Sequence, residues 1–309
     1  MPDRMRFGAL LLSGQFPGQT HTQVLDATIA AAVAAENAGF DDVWIAEHHF
    51  MTYGVCPSAI TLARHLLGAT RRITVGTAAS VLTTQHPIAL AEQTLLLDQV
   101  SGGRFRLRVG RGGPWIDLDV SGTGYHRYDT GLPEALDLLL AVLSGAMVRG
   151  TGPLFRFPAV TVVPGPRTLP RPGVVAAATS TGTLHLAARR GLPLLLGMHA
   201  DDAGKTTMLD HYADTAAERA DPPHISAGLA FVADTDDEAT AVIRSRLPDW
   251  LGLGLSGSHA DGQPHRTRDP HEYTGVLCRI HPVGSPERCR RRLARSAART
   301  GLSDLRCKC

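Results

Sequence analysis

Short apolar runs alternate with amphipathic stretches along most of the chain. The first run, Arg6 to Leu12, predicts a buried strand, and the polar stretch Ser13 to Thr22 leads into a helix whose Thr20-x-x-Gln23 spacing suits a capping box. Leu25, Ile29 and Ala32 recur at helical spacing, and Gly39 ends that helix before Val43-Trp44-Ile45 opens a second strand. The alternation continues through a helix around Leu62 to Leu67, a strand at Ile73 to Ala79, a helix over Pro87 to Val100 closed by Gly102-Gly103, and a strand at Phe105 to Val109. Farther on, strands are predicted at Val174 to Ala178, Leu194 to Leu196, Ile225 to Val232 and Asp304 to Cys307, with helices at Thr181 to Arg190 and Asp201 to Arg219. Strands separated by helices imply a parallel sheet. Eight of them favour closure into an α/β fold of the (β/α)8 TIM-barrel type over an open doubly wound sheet. The sequence reaches its last residue just past the eighth strand, so the last βα unit is expected to be incomplete.

Two stretches interrupt this rhythm. Residues 151–172 carry Pro153, Pro158, Pro164, Pro166, Pro170 and Pro172, a density that suits a surface excursion rather than a core strand. Residues 251–273 are rich in Gly, Ser, His and Pro. They read either as a lid over an active site or as a loop of little order, and Gly252 to His271 offers too little apolar surface to order itself without a ligand.

Composition narrows the class. At 309 residues the chain is long for one domain, yet a barrel of about 250 residues forms one, so a single domain over 1–309 is expected. Hydrophobic residues make up 43% and charged residues 19%, which suits an enzyme with a large buried core. A formal net charge of +2 gives no reason to expect nucleic acid or a membrane surface as a partner. Lys205 and Lys308 are the only lysines, an arginine bias of the kind a GC-rich genome produces. The cysteines Cys56, Cys278, Cys289, Cys307 and Cys309 are odd in number and do not form a secreted disulfide framework, so a reducing cytoplasm is expected. Their spacing makes no metal site, and no apolar run is long enough to span a bilayer.

In a parallel barrel the chemistry sits just past the C-terminal ends of the strands. Glu47-His48-His49-Phe50 follows the second strand; a histidine there serves as acid, base or hydrogen-bond partner, or simply packs in its loop. Gly110-Arg111-Gly112-Gly113 follows the fourth and suits either a phosphate or a tight turn. Thr179-Ser180-Thr181-Gly182-Thr183 follows the fifth and opens a helix, where hydroxyls and free amides hold an anion or cap the helix. Two anion-suited ends on neighbouring strands point to one phosphorylated cofactor.

Taken together, MRFGALLLSGQFP, GFDDVWIAEHHF, VGTAASVLTTQHP, LLDQVSGGRFRLRVGRGG, AATSTGTLHLAARRGLP and HPVGSPERCRRRLARSAARTGLSDL make the chain similar, almost end to end, to the bacterial luciferase-like flavin monooxygenases, most of all to the luciferase α subunit type. The resemblance implies an enzyme that takes reduced FMN (FMNH2) from a separate flavin reductase, forms a C4a-hydroperoxide with O2 and passes one oxygen to a small organic substrate. It implies catalysis by His48, with Glu47 and His49 as weaker site candidates. It also implies a cis peptide at Ala78-Ala79 beneath the flavin ring, and a phosphate held by Arg111, Gly113, Thr179, Ser180 and Thr183. His86 matches a family histidine of open role. The chain departs from luciferase at Gly110, where luciferase has a reactive cysteine, at Pro114, where it has a tyrosine, and in a shorter lid. Light emission on a long-chain aldehyde is therefore not expected; a tailoring hydroxylase or epoxidase of polyketide secondary metabolism, working as a homodimer, is. Two alternatives keep the same barrel, an F420-dependent oxidoreductase and a non-catalytic partner subunit. TAAS and STGT look more FMN-type than F420-type, and the luciferase β subunit replaces both the histidine at His48 and the arginine at Arg111.

Overall fold

In the computed structural model, which describes residues 5–112, 115–145, 147–216, 222–256, 269–302 and 304–308, the apolar runs pair side by side around a closed ring. The strands are β1 (Arg6–Leu11), β2 (Asp42–Ile45), β3 (Thr74–Thr77), β4 (Phe105–Gly110), β5 (Val174–Ala178), β6 (Leu194–Leu196), β7 (Ile225–Leu229) and β8 (Asp304–Lys308). Every neighbouring pair is parallel. The ring closes where Phe7 of β1 stands opposite Leu305 of β8, which in turn faces Ser226 of β7. This is the barrel predicted from the alternation.

Period-two alternation sorts the strand residues into two cores. Ala9, Leu11, Val43, Ile45, Val75, Leu107, Val109, Ala176 and Leu194 turn outward into one large cluster with the helices. Val175, Leu195, Ile225 and Ala227 form a small cluster of their own with Leu10, Ala78 and Ala177 packed on it, and these fill the barrel. Arg108 is fully buried, its guanidinium 3.1 Å from the centre of the Trp44 ring.

The surrounding helices start where their caps dictate. In α1 (His21–Asn37) the predicted box is present: the Thr20 hydroxyl accepts from the Gln23 N–H at 3.2 Å, and Gln23 Oε1 accepts from the Thr20 N–H at 2.8 Å. Ser58 caps α2 (Ala59–Ala69), and His86 caps α3 (Pro87–Val100) by accepting from the Ile88 N–H at 3.2 Å, which gives His86 a structural role. A further helix, α4 (Leu132–Leu143), packs on α3, and α5 (Thr181–Ala188) and α6 (Asp202–Ala216) follow β5 and β6. Three helices, α7 (Asp236–Ser256), α8 (Pro270–Ile280) and α9 (Pro286–Thr300), lie between β7 and β8.

Two features differ from expectation, and the proline-dense surface stretch gains detail. The strand predicted over Ile225 to Val232 breaks at Ala230, and Phe231–Val232 leaves the barrel to pair with Val283–Gly284. The proline-dense stretch holds a strand, Arg156–Thr161, antiparallel to Met147–Thr151. Its later part is tied down by buried Asp98, which accepts from the Arg167 and Thr168 N–H groups at 2.7 and 2.8 Å. The stretch read as one loop over 251–273 begins and ends as helix, because Leu251, Tyr273 and Leu277 are buried together in an apolar cluster; residues 257–268 lie outside the described residues. Among the described residues no helix is long and apolar enough to cross a membrane.

Candidate active site

The ends of β3, β4 and β5 carry almost no side chain. The Ala78–Ala79 peptide is cis, and the Ala78 N–H donates to the Ile45 carbonyl at 2.6 Å. A Cβ placed on Gly110 would lie 3.3 Å from the Ala79 Cβ and 3.7 Å from the Ala177 Cβ. Two methyls and a bare glycine thus form a low shelf at the barrel mouth, open to a flat ring and narrowed by any larger side chain at Gly110.

Glu47 holds this shelf in place. Its Oε1 accepts from the Val81 N–H at 2.9 Å, just beyond the cis peptide, and its Oε2 accepts from the Ala59 N–H at 3.1 Å, at the start of α2. Both oxygens of this buried carboxylate therefore serve the backbone. The two histidines that follow diverge, as adjacent residues must. His49 lies with Nε2 3.7 Å from Glu47 Oε1, in a separate cavity of about 250 Å³ that also includes Asp117 and Gln93. Glu47 raises the His49 pKa against the opposing effect of burial; burial raises that of Asp117, with His49 opposing.

His48 turns the other way, edge-on to Tyr53 with ring centres 5.0 Å apart, and Tyr53 stacks on Trp250 at 4.2 Å. The loop that carries His48 is stitched to the end of β1 by Val55 N–H to the Ser13 carbonyl and Gln15 N–H to the Thr52 carbonyl. It is clamped from above by the Trp250 indole, which donates to the Tyr53 carbonyl at 2.9 Å. A Cβ on Gly54 would fall 2.5 Å from His48 Nδ1, so only glycine leaves room for that imidazole.

Four of the phosphate candidates, Arg111, Thr179, Ser180 and Thr183, follow the ends of β4 and β5. Val109 of β4 is paired with Ala176 of β5, so Arg111 and Thr179 leave neighbouring strand ends. The Arg111 guanidinium lies 4.1 Å above the Tyr128 ring, and its carbonyl accepts from the Thr83 hydroxyl at 2.6 Å. Ser180 caps α5 by accepting from the Thr183 N–H at 3.4 Å, with the two hydroxyls 3.1 Å apart, while Thr179 is exposed. Gly113 lies outside the described residues.

The family model for luciferase-like monooxygenases matches residues 5–304. The chain belongs to that family. This luciferase-like monooxygenase is 29% identical over 325 residues to the alkanal monooxygenase alpha chain of the Kryptophanaron alfredi symbiont, an alignment that covers 98% of this chain and 91% of the relative. Its fold matches monooxygenase RslO1 from Streptomyces bottropensis with a TM-score of 0.85 at 21% identity, over 98% of this chain and 92% of the other. It also matches the FMN complex of the oxygenating constituent of 3,6-diketocamphane monooxygenase from Pseudomonas putida, a type II Baeyer-Villiger monooxygenase, with a TM-score of 0.80 at 20% identity, over 99% and 92%. These two likenesses concern the fold.

The residues of this luciferase-like monooxygenase suit a flavin mononucleotide: the bare shelf at Gly110 takes a planar ring, and the adjoining rim offers a guanidinium and hydroxyls to a phosphate. Tyr53, Asp117, Tyr128 and Trp250 escape a reading of strand ends, because each lies in a loop or helix and meets His48, His49 or Arg111, in the case of Trp250 through Tyr53, only in the folded chain. The one local signal was aromatic residues in the segments that follow β2 and β4.

Proposed function

We propose that this enzyme is an FMNH2-dependent monooxygenase that transfers one oxygen atom of O2 to an organic substrate, hydroxylating or epoxidising a secondary metabolite of the aromatic polyketide kind. What supports this reading is the bare shelf of Ala78, Ala79, Gly110 and Ala177, together with His48 in the loop that follows β2 and Arg111, Ser180 and Thr183 in the segments that follow the paired strands β4 and β5. When bound, reduced flavin supplies the electrons that activate O2. The chain's own residues do the rest. Arg111, Ser180 and Thr183 anchor the phosphate, with Thr179 and, by its place in the sequence alone, Gly113 as further candidates. Ala78 and Ala79 underlie the ring, and Glu47 fixes their height through the Val81 N–H. His48 takes and returns a proton at the reacting face.

In this reading the flavin arrives reduced from a separate reductase, as the likeness to the luciferase-like family implies. Association as a homodimer through the early helices is supported by Leu96 and Val100, one turn apart on α3 and 54% and 62% exposed. The enzyme is to be assayed with photoreduced FMN, ¹⁸O₂ and a panel of polycyclic aromatic substrates, alongside a titration with F420. One ¹⁸O per product molecule with FMNH2 supports the proposal; tighter binding of F420, with turnover that needs no O2, overturns it.

A further inference from the structure

A crevice of about 280 Å³ runs along the outer face of the barrel wall between α6, the last turn of α8 and α9. Its floor is β7. Ser226 and Gly228 line it, whereas the alternate residues Ile225 and Ala227 belong to the barrel interior. No residue of the candidate active site borders it.

Its charge is lopsided. Lys205, Arg279, Arg292, Arg295 and Arg299 face Asp201 and Asp202, an excess larger than the +2 of the entire chain. Two of the cations are engaged. Lys205, buried in the floor, donates to Ser226 Oγ and the Ala227 carbonyl, both at 2.8 Å, and Arg292 donates to the carbonyls of Cys278 and His281. The carboxylates are engaged too, but by neutral donors: Asp201 accepts from the Gly204 N–H at 2.9 Å and Asp202 from the Ser296 hydroxyl at 2.6 Å. Arg279, Arg295 and Arg299 remain, exposed at the rim, and among the described residues no carboxylate lies within ion-pair distance of any of them. Arg295 and Arg299 are one helical turn apart on the face of α9 that also presents Arg292 and Ser296 to the crevice.

Three guanidinium forks with no carboxylate partner among the described residues, set around a concave, cation-floored crevice, match an anion with several oxygens and more than one charge. The volume sits just under the range of about 300–1,000 Å³ common for organic ligands, which favours a small one. We propose that this crevice binds a condensed phosphate, either inorganic pyrophosphate or the diphosphate of a nucleotide, independently of the flavin.

The test is calorimetric titration of the whole protein with pyrophosphate and, separately, with adenosine diphosphate, using wild type, an R295Q/R299Q double variant and R111A. Binding with a Kd below about 1 mM that weakens with salt, falls about tenfold or more in R295Q/R299Q and persists in R111A supports the crevice; the tighter of the two ligands identifies the source. Binding that disappears in R111A and is intact in R295Q/R299Q belongs to the flavin rim and overturns it. So does the absence of binding by folded wild-type protein. Unchanged thermal unfolding of the double variant without ligand separates lost affinity from lost structure.

Discussion

Arg111 has two jobs within reach, a phosphate on one side and the Tyr128 ring on the other. They predict different losses. If the fork grips phosphate, Arg111→Ala weakens reduced FMN binding roughly 10- to 100-fold, the worth of a charge-assisted bond, while riboflavin, which lacks the phosphate, binds wild type and variant alike. Lysine rescues in part, because it keeps the charge and loses the fork. Equal losses for FMN and riboflavin would assign Arg111 to the turn alone. His48→Ala is expected to leave FMN affinity nearly unchanged and to lower turnover by about 10² to 10⁴, the usual worth of a positioned proton carrier; unchanged turnover removes it from the mechanism. Both positions could be singled out from the sequence because a strand end in a parallel barrel points at the mouth. Glu47 was legible as a position but not as a role, since the two donors to its carboxylate, the Ala59 and Val81 N–H groups, come from segments that only the folded chain brings together.

Among the elements, the junction of α8 and α9 responds to pH. Burial pushes the His281 pKa down to about 4, with Lys205 and His199 acting in the same direction and the Met198 carbonyl and Asp202 opposing. Between the ordinary histidine value of about 6.5 and 4, an unfolded chain takes up a proton that the folded one refuses, so stability falls as pH falls through that window and is flat outside it. The loss amounts to roughly 3 kcal/mol. Urea unfolding from pH 7.5 to 3.5 should show this component, and His281→Asn should abolish it whatever its effect at pH 7. A retained slope in that variant would place the titration elsewhere. The capped helices α1 and α3 were legible at their starts, where Thr20 and Pro87 carry local signals. The break at Ala230 and the helical turn at 251–256 were not, because partners distant in sequence, Val283 and Tyr273, decide them.

For the molecule as a whole, the proposed dimer is checked by sedimentation: a dimer mass for wild type and a monomer for a Leu96→Glu/Val100→Glu variant is the expected outcome, and a monomeric wild type refutes it. Ring closure has a further consequence during synthesis. The partner of β1 on its open side is β8, the last of the eight strands to leave the ribosome, so the first strand waits for almost the whole of translation with an unpaired edge. A nascent chain in that state exposes the apolar residues of β1 and β7 together, and loop-closure entropy makes the final pairing slow. The interval between the emergence of β7 and that of β8 is thus the one in which a holdase chaperone has most to protect, and in which two chains translated side by side are most prone to exchange strands.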